Sequence, residues 1–442
     1  MFERKIYRQL YEWKQSRRGS TALLLEGQRR VGKSTLVEEF GRNEYESYVL
    51  IDFSTCSQDI RNLFRDVSDL NFFFLQLQLL TGVRLIERKS LVIFDEVQLW
   101  PLARQAIKTL VKDHRYDYIE TGSLISLQKN VRNILIPSEE QRLQMTPMDF
   151  EEFLWAIGDS VTPDLLRHLQ ETGKPAGDAV HRKLMRLFRL YMLVGGMPQA
   201  VQAYLDANNF EDVDEIKRNI LSLYEDDFRK IDSSGQLSLL FDSIPAQLGR
   251  NSPRYAVSSV LPDKRPSNSL NLIAELVDSR TVLAAYHVSQ PCAAMSAFKD
   301  LSRFKLYLSD TGLFVTLMFK NKAFTENDIY QKLMSDKLGV NLGYLYENAV
   351  AQMLTASGHE LFYHTFPNKQ KTANYEIDFL ISDRVKICPI EVKSAGYRTH
   401  ASLDAFSLKF SSQIARKFIL YCKDRSRDKD VDMLPIYMTK FL

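Results

Sequence analysis

The sequence predicts an α/β fold: a parallel sheet covered by helices, then a helical lid, a winged-helix-like module and a second α/β domain. Three observations carry this. Short apolar runs alternate with helical segments between Thr21 and Met148. The first of those runs opens into a glycine-framed loop, and a later one ends in paired acids. A fresh pattern of helix and acidic strands begins at Leu342.

The glycine-framed loop is the strongest signal. Leu23-Leu24-Leu25 is followed by Gly27-Gln28-Arg29-Arg30-Val31-Gly32-Lys33-Ser34-Thr35, a full match to the phosphate-loop pattern G-x-x-x-x-G-K-[ST]. Gly27 and Gly32 let the backbone turn so that its N–H groups converge on phosphate oxygens. The helix that starts near Lys33 aims its positive dipole end at the same anion. Lys33 has the length to reach the β- and γ-phosphates, and the Ser34 hydroxyl suits Mg²⁺. The loop therefore points to a P-loop NTPase sheet with ATP and Mg²⁺ as its ligands.

Composition sets bounds. A chain of 442 residues has a prior of about three domains. Apolar content of 45% and charged content of 26% are ordinary for a globular protein. A net charge of +3 gives no overall case for nucleic acid, so any basic surface is local. Cys56, Cys292, Cys388 and Cys422 have neither metal-ligand nor redox spacing and read as reduced thiols. Met1-Phe2-Glu3-Arg4-Lys5 does not resemble a signal peptide, and Phe72–Leu80 is too short to span a bilayer. These features predict a cytoplasmic protein with no membrane segment.

Residues 3–18 place Ile6, Leu10 and Trp13 at helical spacing ahead of the first strand, Thr21–Leu25. Tyr48–Phe53 reads as a second strand, and Phe64 to Leu80 as one packed helix whose Phe72–Phe74 belong to the core. Leu91-Val92-Ile93-Phe94-Asp95-Glu96 suits a buried parallel strand with acids at its carboxyl end, where ligands sit in open α/β sheets. Asp95 is expected to hold Mg²⁺, and Glu96 to position or deprotonate the attacking water. Tyr116–Ser123 is a further strand; Thr121 and Ser123 either sense the γ-phosphate or cap the next helix. Arg142–Met148 completes the sheet as a fifth strand. Phosphoryl transfer is catalysed mainly by placed positive charge, which makes Arg142 and Arg30 candidates at the γ-phosphate, in cis or across a subunit contact.

The domain limits expected are 1–148 for the nucleotide domain, 149–234 for the helical lid, 235–320 for the winged-helix-like module and 335–442 for the last domain. In the lid, Gly195-Gly196 turns the chain and Pro198 starts a new helix. The module has helices at Leu237–Leu248 and Asn268–Ser279, then strands at Val282–Val288 and Arg303–Ser309. Arg250, Arg254, Lys264 and Arg265 are its thin basic supply, so DNA binding and plain packing both stay open. In the last domain Glu347 lies on an amphipathic helix, and Glu376 and Asp378 share one face of a strand. Glu391 and Lys393 share a face of the next. Glu347, Asp378, Glu391 and Lys393 together form a nuclease-like constellation. Its hard oxygens would suit a second Mg²⁺ or Mn²⁺, with Lys393 beside the attacking water.

These motifs together resemble the prokaryotic AAA-type ATPases, often called archaeal-type ATPases, whose C-terminal domain is similar to PD-(D/E)XK nucleases. The resemblance runs through Gly27–Thr35, Leu91–Glu96, Thr121-Gly122-Ser123, Pro147–Phe153 and Leu193–Pro198. It continues in Lys305–Leu313, Tyr346-Glu347-Asn348, Glu376–Phe379 and Ile390–Lys393. Where the family has Gly-Arg before the fifth strand, this chain has Gln141-Arg142. The expected function is an ATPase whose nucleotide state acts on a winged-helix and nuclease-like half. An ATP-gated DNA-processing or defence nuclease is a second reading, and a slow nucleotide switch or scaffold for a protein partner is a third. The oligomeric state is left open.

Overall fold

The computed structural model describes residues 1–122, 139–250, 254–262, 266–322, 325–335, 343–368, 370, 372–396 and 398–442. They form two compact units, Met1–Thr146 with Asp278–Arg280, and Pro147–Val277 with Thr281–Leu442.

The first unit is a parallel sheet in the order β2-β3-β4-β1-β5. Its strands are β1 (Ala22–Gly27), β2 (Ser47–Asp52), β3 (Ser90–Asp95), β4 (Asp117–Gly122) and β5 (Glu140–Met145). Every residue of β1, β3 and β4 is buried, because helices cover both faces. Alternation along the strands splits the core accordingly. Leu24, Val92, Phe94 and Tyr118 pack on one side, and Leu23, Leu25, Ile93 and Ile119 on the other. The helices are α1 (Ile6–Arg17), α2 (Lys33–Glu44), α3 (Gln58–Leu63), α4 (Leu70–Thr81) and α5 (Pro101–Asp113).

Two sequence expectations change here. The helix expected from Phe64 to Leu80 starts only at Leu70, as α4, because Asp69 caps that start by accepting from the Phe72 amide. Nor is the apolar run wholly core: Phe73 and Phe74 are buried, while Phe72, Leu75 and Leu79 are exposed.

The second unit begins with α6 (Phe150–Ala156), α7 (Val161–Thr172), α8 (Asp178–Val194), α9 (Pro198–Ala207) and α10 (Phe210–Ile231). Next come α11 (Gln236–Asp242), α12 (Ile244–Gly249), α13 (Pro266–Asp278) and the antiparallel hairpin β6 (Val282–Val288) and β7 (Lys299–Leu308). After α14 (Thr311–Met318) and α15 (Asn327–Met334), α16 (Gly343–Ala356) leads into β8 (Phe362–Pro367), β9 (Asn374–Asp383) and β10 (Lys386–Lys393). The chain ends with α17 (Ala401–Phe410), β11 (Lys417–Tyr421), β12 (Ser426–Asp428) and β13 (Val431–Pro435).

The hairpin read as a wing is not free. β6 pairs in parallel with β8, so one eight-stranded sheet runs β12-β13-β11-β10-β9-β8-β6-β7 across the domain limits expected at 320 and 335. Two motifs distant in sequence lock this unit. The Asp310 carboxylate accepts from the Gly196 amide at 2.6 Å and caps α14 through the Leu313 amide at 2.8 Å. A Cβ at Gly196 would lie 2.2 Å from the Met148 carbonyl oxygen, and one at Gly312 would lie 2.5 Å from that of Val194. Glycine is required at both by close backbone approach. Buried Lys217 completes the lock by donating to the Leu193 and Gly312 carbonyls and the Tyr330 hydroxyl.

Candidate functional site

The loop after β1 has the shape an anion needs. Arg30 (φ 68°) and Gly32 (φ 101°) take left-handed conformations that curl successive amides into a concavity at the start of α2. Gly27 sits against β5, where a Cβ would lie 2.5 Å from the Met145 carbonyl oxygen. Lys33 is buried and folds back to donate to the Gly27 carbonyl at 2.9 Å and the Gln28 carbonyl at 3.0 Å. Burial lowers its pKa, and Glu96 and Asp95 offset part of that. Thr35 is exposed one residue beyond Ser34.

β4 lies between β1 and β3, and this order brings the ends of the three strands together. Asp95 Oδ1 accepts from Ser34 Oγ at 2.9 Å and also from the Thr121 hydroxyl. Ser34 and Asp95, the pair expected at Mg²⁺, therefore already face each other with hard oxygens. Thr121 also accepts from the Glu96 amide at 3.3 Å, which couples the end of β4 to the acid. Glu96 has φ 52°, a strained value for a non-glycine residue, and its carboxylate is held by Gln98. Ser123 lies outside the described residues, as do Lys264 and Arg265.

Arg142 is placed differently from the rest. It pairs with Leu24, three residues before Gly27, and its exposed guanidinium bonds Glu140 at 3.0 Å and approaches Glu26 at 3.7 Å. Arg4 was not singled out from the sequence, yet it braces the loop. It donates to the Val31 carbonyl at 3.2 Å and to that of Thr146 at 2.5 Å. A lone arginine in a charged N-terminal stretch carries no signal of such a role.

The second unit gathers the C-terminal residues around a polar cavity of about 730 Å³. Glu347 from α16, Glu376 and Asp378 from β9, and Glu391 and Lys393 from β10 all line it. Asp378 Oδ2 accepts from the Val392 amide at 2.8 Å, and Lys393 pairs with Glu391 at 2.7 Å. Sequence reasoning missed Lys305 on β7, whose ammonium lies 2.9 Å from Glu347 and 2.5 Å from Glu376. Tyr307 donates its hydroxyl to the same Glu347 oxygen. Burial, and next the charge of Glu347, hold the Asp378 pKa well above the usual carboxylate range. Burial also raises Glu376, partly offset by Lys305. The expected second Mg²⁺ or Mn²⁺ does not fit this arrangement. Among the described residues no group of three or more His, Cys, Asp or Glu side chains is set to hold a metal ion. Lys305 takes the space between the acids.

Comparison with known proteins divides the chain in three. Residues 19–154 match the AAA-domain family model, 185–323 a domain of unknown function (DUF8612), and 342–439 another domain of unknown function (DUF4143). No curated protein matches. Similar solved structures include a Walker-type ATPase of Pyrococcus abyssi, with 16% identity, 72% of this chain and 96% of that one covered, and a TM-score of 0.43. The RuvB Holliday junction branch migration motor of Thermotoga maritima matches with 13% identity, 64% and 89% coverage and a TM-score of 0.28. Cdc6p of Pyrobaculum aerophilum matches with 11% identity, 75% and 93% coverage and a TM-score of 0.26. Those TM-scores are too low to carry an argument. No helix among the described residues is long and apolar enough to cross a membrane. The family match and the parallel sheet agree on one point: residues 19–154 are similar to the AAA domains of P-loop ATPases.

Proposed function

We propose that the protein binds ATP with Mg²⁺ in its first unit and hydrolyses it. The observation that carries this is the convergence of Lys33, Ser34, Asp95 and Thr121 at the carboxyl ends of β1, β3 and β4. Amides of Gly27 to Ser34 cradle the β-phosphate, and Lys33 leaves its two carbonyls for the β- and γ-oxygens. Ser34 and Asp95 would hold Mg²⁺, which would supply positive charge to the phosphates. Glu96 orients the attacking water and accepts its proton, while Thr121 links that acid to the strand carrying the γ-phosphate sensor. Arg142, committed to Glu140 within its own chain, is proposed to serve a neighbouring copy, and Arg30 its own γ-phosphate. Mixing Lys33→Ala with Arg142→Ala protein tests this. Restored turnover in the mixture supports the trans arginine, and additive inactivity removes it. The ATPase itself is tested by steady-state turnover of wild type against Glu96→Gln. Equal rates would sink the assignment.

A cytoplasmic ATPase whose nucleotide state acts on the second unit is the full reading, with the winged-helix-like helices and nuclease-like sheet as its output. A specific observation favours an anionic partner, DNA or an acidic protein, over none. Arg182, Arg186 and Arg189 fall on one face of α8 and line a cavity of about 1010 Å³. Arg182 and Arg186 are exposed there. Loss of DNA-stimulated turnover in Arg182→Ala/Arg186→Ala supports a nucleic-acid partner. No stimulation in wild type turns the search to acidic proteins.

A further inference from the structure

We infer that Lys305 is the resident cation of the acidic cavity in the second unit and stands in for a divalent metal, which keeps that cavity metal-free. The cavity collects four carboxylates, Glu347, Glu376, Asp378 and Glu391, and two lysines, Lys305 and Lys393. Lys393 is spent on Glu391. Unbalanced, the other three acids would repel one another in a poorly solvated space.

Lys305 pairs with two of them, Glu347 and Glu376, while burial raises the Asp378 pKa and favours its neutral form. Its ammonium is buried and bonds Glu347 at 2.9 Å and Glu376 at 2.5 Å, so it joins α16 to β9 from a third element, β7. Burial alone would pull its pKa down. Glu347 and the neighbouring acids more than reverse that, and the group stays protonated. A second observation is independent of Lys305. Glu391 is 4% exposed, and its Oε2 lines the cavity buried with no hydrogen-bond partner. A buried carboxylate oxygen left bare is costly. Here it marks a ligand position that the lysine has not filled.

Geometry separates ammonium from metal. An ammonium is satisfied by oxygens at hydrogen-bond distance in an open arrangement. Mg²⁺ demands near-octahedral oxygens at about 2.0–2.1 Å. The oxygens held at 2.9 and 2.5 Å from the ammonium lie outside that shell while the lysine is present, in keeping with the lack of a metal-ready group among the described residues. Metal-assisted phosphodiester cleavage is therefore not available to this cavity as the chain is built. Removing the lysine while keeping the acids should restore the metal site.

The test uses full-length protein without nucleotide, so it stands apart from the ATPase reading, and Mn²⁺ is the probe, counted by electron paramagnetic resonance. Wild type and Asp378→Asn should bind equal amounts of Mn²⁺. Lys305→Met should gain about one equivalent and a higher melting temperature in Mn²⁺ than in EDTA. Both gains should vanish in Lys305→Met/Asp378→Asn. Lys305→Arg, which keeps the charge, should behave as wild type. A wild-type Mn²⁺ equivalent that disappears in Asp378→Asn would overturn the inference, as would folded Lys305→Met that gains none. If Lys305→Met does not fold, the wild-type and Asp378→Asn comparison decides alone.

Discussion

Each unit of this protein buries a lysine among oxygens, and the two lysines are set up for opposite ends. Lys33 rests on two neutral carbonyls, those of Gly27 and Gln28. Lys305 rests on two carboxylates, Glu347 and Glu376. The pKa directions follow: burial lowers Lys33, whereas the acids hold Lys305 well above its ordinary range despite burial. Lys33, on carbonyls at the mouth of the phosphate loop, keeps most of its charge uncompensated there and suits an anion. A lysine on carboxylates has found its counter-ions.

The largest effects are expected at the first lysine. Lys33→Ala should reduce ATP affinity below detection by calorimetry, because the site loses its uncompensated cation. Glu96→Gln should leave affinity near wild type and lower turnover by about 10²–10⁴-fold, the usual range for a lost general base. The comparison breaks if Lys33→Ala binds ATP as wild type does.

Stability should respond the other way round. Lys305→Ala leaves the partly buried Glu347 and Glu376 without their cation, and loss of one partner from a buried pair costs up to about 3–5 kcal/mol. Lys33→Ala removes a penalised buried charge, which offsets the two hydrogen bonds it loses. Its effect on urea unfolding should stay within about 1 kcal/mol. Equal destabilisation by the two substitutions would erase the distinction drawn between them.

Much of this was legible in the sequence. Gly27–Thr35 and Leu91–Glu96 carry their own context, since a phosphate loop needs a strand before it and a helix after it. Period-two alternation on two strands put Asp378 beside Glu376 and Glu391 beside Lys393, and Glu347 followed from its place on an amphipathic helix; all five line one cavity. Lys305 did not follow, because a single lysine in β7 reads as a solvated strand charge. Its acids lie 42 and 71 residues away. The pairing of β6 with β8 is equally long-range, so the hairpin looked like a wing until its partner strand was placed. The Gly195-Gly196 motif read as a local turn, and Asp310-Thr311-Gly312 only as part of a family resemblance. Their meaning is mutual contact, which no local pattern encodes.

The smallest effect concerns a third buried charge, one with no cation left for it. Glu120 in β4 is completely buried beside Glu140. The nearest arginine, Arg104, already bonds both Glu140 oxygens, at 3.2 and 3.0 Å. Burial, reinforced by the Glu140 charge, lifts the Glu120 pKa well above the ordinary 4.5. The group is neutralised by a proton rather than by a counter-ion. Above that ordinary value the folded chain holds a proton that the unfolded chain has released. Stability must then fall as pH rises toward the folded pKa, by at most about 1.4 kcal/mol per pH unit for one proton. Glutamine has the shape of the protonated acid and no proton to lose. Glu120→Gln should therefore match wild type near pH 5, exceed it at pH 7–8, and flatten the slope between. Urea midpoints across that range provide the measurement. A variant with the wild-type slope would mean that Glu120 is charged in the folded chain and that Arg104 serves both acids.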